Sequence, residues 1–112
     1  MAKFLDDGRT CDALFAVGDS LAIGAIKALR ERNIRVPQDV AVAGYGNLYP
    51  GIIDYISPSL TTIAQPFNAI AENAVDRMID MMHTGLRTEE TLLLKPNLIV
   101  RESTGGFGRA RL

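Results

Sequence analysis

The sequence predicts an α/β fold: a mostly parallel sheet in a three-layer arrangement. Three observations carry that reading. Val40-Ala41-Val42-Ala43 is a short apolar run set between Pro37 and the glycines Gly44 and Gly46, the pattern of a strand buried on both faces. Asp12-Ala13-Leu14-Phe15-Ala16-Val17 is a second apolar run. A helical pattern from Asp19 to Asn33 lies between them, so the order is strand, helix, strand. In an open sheet of this kind ligands sit beyond the carboxyl ends of the strands. Two loops fall there, Gly18-Asp19-Ser20 and Tyr45-Gly46-Asn47, and a site is expected to be built from them.

The totals bound the rest. A chain of 112 residues holds one compact domain or part of a larger one. Its 47% hydrophobic and 22% charged residues fit a soluble globular protein. A formal net charge of −1 supplies no electrostatic drive toward nucleic acid. The single cysteine, Cys11, makes no internal disulfide and reads as a small packed residue beside a strand. No apolar run approaches the roughly 18 residues of a membrane span, and Met1 to Asp7 lack a signal peptide's apolar core.

In chain order, Met1 to Leu5 read as the last turns of a helix closed by Gly8, which suggests a chain cut from something longer. Asp19 or Ser20 caps the next helix. On it Leu21, Ala25 and Ala28 share one face, while Ile23 and Ile26 point elsewhere and require cover from another element or another subunit. Lys27, Arg30 and Arg32 fall in the later turns, where cations suit the helix dipole. Leu48 to Pro58 is a turn-rich connection with enough Ile and Tyr to pack down as a loop or short helix. Leu60 to Ala64 is a third strand, and Pro66 opens a helix from Phe67 to His83. Phe67, Ile70, Ala71, Ala74, Met78 and Met81 form its apolar stripe, with the methionines as core filling. His83, the only histidine, ends that helix before Gly85. Leu92-Leu93-Leu94 and Leu98-Ile99-Val100 flank Pro96 as a broken edge strand. From Glu102 onward the residues read as a mobile tail.

The chemistry expected of an enzyme is absent. Gly44-Tyr45-Gly46 supplies only two glycines of a GxGxxG pattern, since Tyr49 stands where the third would fall. No His, Cys and Asp cluster has metal-ligand spacing, and nothing pairs a nucleophile with His83. Catalytic residues, metal and cofactor are therefore all expected to be none, which leaves a binding or regulatory unit.

Four segments then point together. Asp12 to Ala25, with "FAVGDSLAIGA", resembles a family pattern of strand, polar pair and helix. Arg35 to Tyr45 is similar to its "RVPxDVxVxGY", Pro58 to Phe67 to its "PxLTTIxQP", and Leu98 to Thr104 to its closing "LxxRxST". On these residues the chain resembles the C-terminal part of the effector-binding domain of a LacI/GalR-type transcriptional regulator, over nearly its whole length.

The resemblance implies an incomplete piece of a two-lobed, periplasmic-binding-protein-like domain. It assigns residues 1–64 to one lobe, 65–91 to the other, 92–104 to the strand that returns, and 105–112 to a flexible tail. It implies a cytoplasmic, non-membrane protein whose partners are a small-molecule effector (a sugar or related metabolite), a second copy in a homodimer or swapped oligomer, and operator DNA. The DNA would be met only through an N-terminal helix-turn-helix that this chain does not contain. Gly18, Asp19, Tyr45, Gly46, Asn47 and Gln65 fall at effector-region or pivot positions. Sugar-binding members carry Asn and Asp where Gly18 and Gly46 stand, so side-chain contacts to hydroxyls are lost there. The glycines make room for a larger ligand or bind through their backbone N–H groups. Ile23, Ile26 and Arg30 are the implied dimer contacts, and open sheet edges imply self-association. The alternative reading is the ligand-binding part of a periplasmic sugar-type transport receptor. A third is a piece with no separate activity.

Overall fold

The computed structural model describes residues 1–87 and 89–106. Its elements run α1 (Ala2–Asp6), β1 (Ala13–Phe15), α2 (Asp19–Arg30), β2 (Ala41–Gly46), α3 (Pro50–Tyr55), β3 (Thr61–Ala64), α4 (Phe67–Thr84) and β4 (Asn97–Ile99), followed by a 3-10 turn at Glu102–Thr104. The strands form one sheet in the order β1-β2-β3-β4, with β1, β2 and β3 mutually parallel. Ala13 pairs with Ala41 and Ala43 with Thr61, so the carboxyl ends of all three parallel strands lie at one end of the sheet.

The chain divides into two compact units, Met1–Ala64 with the described residues from Leu98 to Gly106, and Gln65–Asn97. In the first, side-chain alternation puts Leu14, Val42 and Leu60 on one face of the sheet. That face packs against Ala22, Ile26 and Leu29 of α2 and Ile53 of α3, with Met1 and Leu5 of α1 at its margin. Phe15, on the other face, remains 57% exposed.

The core stripe of α2 differs from the expected one. Ala22, Ala25, Ile26 and Leu29 are buried, at the i, i+3, i+4, i+7 spacing of a helix face. Leu21 is exposed instead. Ile26, expected to point away from the sheet, fills the core, so the second apolar face is largely satisfied inside the chain. Buried alanines let α2 approach the sheet closely, which selects the Ala22–Leu29 face over the one carrying the bulkier Leu21.

Arg35 and Asp39 bracket the turn into β2. The guanidinium donates to both carboxylate oxygens at 2.9 and 2.7 Å, and the Arg35 backbone N–H donates to Oδ2 at 2.8 Å. The side-chain and backbone hydrogen bonds from Arg35 hold the Asp39 carboxyl at about 2, below its ordinary 3.8. A depressed carboxylate stabilises the fold above its unfolded pKa, and that contribution is lost as pH falls through the folded value. The Asp39 carboxyl should therefore titrate near pH 2 by NMR and return toward 3.8 in Arg35→Met. A midpoint near 3.8 in the unmodified chain would show that the turn is not clamped.

Glu102 to Thr104 are not part of a tail, as the sequence suggested, but a 3-10 turn packed on the sheet. Ser103 is buried, and its hydroxyl donates to the Val42 carbonyl at 2.6 Å while accepting the Thr61 N–H at 2.8 Å. The Arg101 guanidinium donates to the Leu60 carbonyl at 2.9 Å and pairs with Asp54 at 2.6 Å, tying α3 to β3. Glu102 accepts the Ser59 N–H at 2.8 Å. The closing "RxST" residues are thus a pin across β2, β3 and α3. The residues expected to be flexible beyond Gly106 lie outside the described part.

In the second unit, α4 ends at Gly85 in the left-handed conformation, φ 67°. Arg77 donates to the Glu90 carbonyl at 2.9 Å and pairs with its carboxylate at 3.2 Å. The apolar stripe is uncovered: Phe67, Ile70 and Met78 are exposed, and no residue of α4 is buried. The methionines are therefore not core filling among the described residues, because the segment after α4 adds no helix or strand to pack on them before Asn97. Leu92 to Leu94 form no strand either. Strand structure starts only after Pro96, whose missing N–H cannot join a ladder.

Candidate functional site

The carboxyl ends of β1 and β2 bring the two expected loops together, and Asp19 joins them. Asp19 is the first residue of α2, with Gly18 in the cap position on extended backbone. The expected capping role of Asp19 is not what the structure shows, for no side-chain cap bond forms at this helix. Its carboxylate has better partners across the sheet. Oδ2 accepts the Asn47 backbone N–H at 2.6 Å, and Oδ1 accepts the Thr62 hydroxyl at 2.5 Å. Hydrogen bonds to an ionised acceptor are the short, strong kind. One side chain thus ties the start of α2 to the turn after β2 and to the middle of β3.

Gly44 makes this possible. A Cβ there would run into Asp19 Oδ1 and lie 3.1 Å from the Leu60 side chain. Gly46, at φ 129°, and Asn47, at φ 55°, carry the chain through the turn that presents the Asn47 N–H to the carboxylate. The Asn47 side-chain oxygen is buried with no hydrogen-bond partner among the described residues, an arrangement that costs free energy.

Of the residues singled out in the sequence, Gly18, Asp19, Tyr45, Gly46 and Asn47 all lie in the first unit at this end of the sheet. Tyr45 alternates away from Gly44 and Gly46, and it is half-buried. Gln65 is the first residue of the second unit. Thr62 and Gly44 were not singled out, and both are needed for the Asp19 bridge. The pattern "GY" after a strand could have flagged Gly44, since glycine at a strand end signals close approach. Thr62 carried no such local sign.

The candidate dimer residues fall elsewhere. Ile26 is in the core, and the exposed Arg30 donates through its guanidinium to the Ser57 carbonyl. Ile23 is half-buried against the core cluster. The opposite end of the sheet holds a broad open groove of about 1480 Å³, with Asp12, Arg30, Asn33, Arg35, Gln38 and Glu102 among its lining. Its lining carries charges of both signs, with Arg35 paired to Asp39. Among the described residues no cluster of His, Cys, Asp and Glu could hold a metal, and no helix is long and apolar enough to cross a membrane.

Comparison with known proteins gives one answer. Residues 3–104 match the family profile described as a periplasmic binding protein-like domain. The HTH-type transcriptional repressor PurR of Salmonella paratyphi B is 35% identical over 103 residues, 92% of this chain and 30% of that protein. A LacI-family transcriptional regulator structure from Sanguibacter keddieii superposes with a TM-score of 0.85 at 40% identity, covering 94% of this chain and 40% of that one. A LacI-family regulator from Enterococcus faecium with bound ribose gives 0.77 at 31% identity, covering 92% of this chain and 37% of that one. The chain spans less than a third of the length of these curated repressors. The relatives are regulators, which sets aside the transport-receptor alternative. The chain belongs to the periplasmic binding protein-like family and is part of the domain that LacI-type transcriptional regulators carry.

Proposed function

We propose that this chain is the effector-binding and dimerisation portion of a cytoplasmic LacI-type regulator whose operator binding responds to a small molecule. The observation that carries the reading is the Asp19 bridge, which assembles the Gly18 and Tyr45–Asn47 loops at the carboxyl ends of adjacent parallel strands, where α/β sheets take ligands. With Asp19 engaged on both oxygens, the groups left to meet an effector are the Tyr45 ring, the Asn47 amide and backbone N–H groups beside Gly18 and Gly46. That set is uncharged, and it suits a neutral sugar or related metabolite. Ribose bound to the Enterococcus faecium relative supports the class. Gln65, at the crossing between units, would serve as a pivot, with residues 1–64 in one lobe and the second unit in the other. In the whole protein, ligand would shift the balance between two lobe arrangements and so alter operator affinity.

The test is operator binding by the complete gene product. Tyr45→Ala and Asn47→Ala should abolish the ligand response while leaving operator binding itself in place. An unchanged response in both variants would remove the effector-site assignment.

Dimerisation is carried by Ile23 on α2, flanked by the exposed Leu21 and the exposed Arg30, with Ile26 contributing from beneath through the packing that it supports. Ile23→Asp should shift sedimentation from dimer toward monomer far more than it weakens ligand binding. The reverse order would place the interface elsewhere.

A further inference from the structure

Asp19 is the group that touches both the loop after β2 and the strand β3. We propose that Asp19 is a positioning residue that carries the state of the Tyr45-Gly46-Asn47 loop to β3, and is not itself a contact for the ligand. The purpose of this relay rests on the effector-site reading above, but the linkage does not depend on it.

Three observations support it. Both carboxylate oxygens already accept a short charge-assisted bond, one from the Asn47 N–H and one from the Thr62 hydroxyl, and these two bonds hold the carboxylate between the loop and β3. The carboxylate is also confined. Gly44 leaves only enough room for it, and a Cβ at Gly46 would stand 3.6 Å from its other oxygen. Movement at one oxygen therefore moves the other. Finally, the two ends of the bridge differ in how firmly they are held. Thr62 is fully buried within β3, whereas Asn47 sits at positive φ with a buried, unpaired amide oxygen. The unpaired acceptor at the Asn47 end costs free energy that the Thr62 end does not carry. Thr62 lies two residues before Ala64, the point where the chain leaves the first unit. A disturbance at Asn47 thus has a short covalent and hydrogen-bonded route to the crossing. Such a route counts as coupling only when it is measured.

The experiment is a mutant cycle read by nitrogen-15 NMR on the 112-residue chain. Asn47→Gly tolerates the positive φ and removes the unpaired amide. It should shift the amide resonances of Thr62, Ile63 and Ala64. In an Asp19→Asn background, where one acceptor oxygen must serve two donors, that shift should fall at least roughly threefold. Thr62→Val cuts the other arm and should do the same, while Thr62→Ser keeps the hydroxyl and should preserve the shift. A role in stability alone would lower all backgrounds together and would not separate serine from valine at position 62. Equal shifts at residues 62–64 in every background, or none in the unmodified chain, would overturn the relay. If Asp19→Asn does not fold, the valine and serine pair decides alone. Failure of the effector reading would appear in ligand titrations and would leave this cycle unchanged.

Discussion

Replacing Ser103 with alanine should destabilise the first unit by roughly 2–6 kcal/mol, because two buried backbone groups lose their partner at about 1–3 kcal/mol each. The hydroxyl accepts the Thr61 N–H and donates to the Val42 carbonyl. Alanine fills nearly the same volume, so loss of packing is not the cause. Water cannot easily substitute, since Ser103, Thr61 and Val42 are all buried. Typical domains hold only about 5–15 kcal/mol in total, so this one hydroxyl decides whether β3 stays registered with the end of the chain. Urea unfolding measures it, with Thr104→Ala as the comparison. The Thr104 hydroxyl meets the Thr61 hydroxyl and the Arg101 carbonyl, but Thr104 is exposed and water can take its place, so its loss should cost about 1 kcal/mol or less. Equal costs for the two variants would show that the pin is not centred on Ser103.

Leu29→Ala should cost about 2–5 kcal/mol, the range for truncating a buried leucine in a core that relaxes only partly. Leu29 is fully buried in the cluster that joins α2 to Val42, Ile53 and Leu60. Ala28 beside it and the exposed Leu21 on the same helix provide the contrast, and Leu21→Ala should change stability by less than about 0.5 kcal/mol. Comparable effects at 21 and 29 would mean that the wrong face of α2 has been assigned to the core. The result bears on function, because α2 carries Asp19 at its first position and Ile23 on its next turn.

Strands β1 to β3, the helices α2 and α4 and the two loops at the carboxyl ends of β1 and β2 were legible in the sequence for a physical reason. Buried parallel strands need continuous apolar runs, and the glycines that end them mark where backbone must come close. What stayed illegible depended on partners far along the chain. Asp19 before a helix has the local form of a cap, and only the fold supplies Thr62, 43 positions later, as a better partner. Ser103 and Thr104 look like tail residues until the chain returns to lay them across Thr61. The core face of α2 was misread by a small rotation about the helix axis: Ala25 lies on both faces, and only the fold shows that Ala22, Ile26 and Leu29 join it in place of Leu21 and Ala28. Ala22 and Ala25 are buried by virtue of their size, which brings helix and sheet together. On α4 the apolar stripe is real in the sequence, but nothing in the described residues buries it.

The most direct test of the account is where a small molecule perturbs this chain. The carboxyl-end loops and the amino-end groove are separate surfaces on opposite ends of one sheet. Titrating the labelled chain with neutral sugars, beginning with ribose and cellobiose, should shift resonances of Gly18 to Ser20 and Tyr45 to Asn47. Shifts gathered instead at Asn33 to Asp39 and Arg30, with the two loops silent, would contradict it.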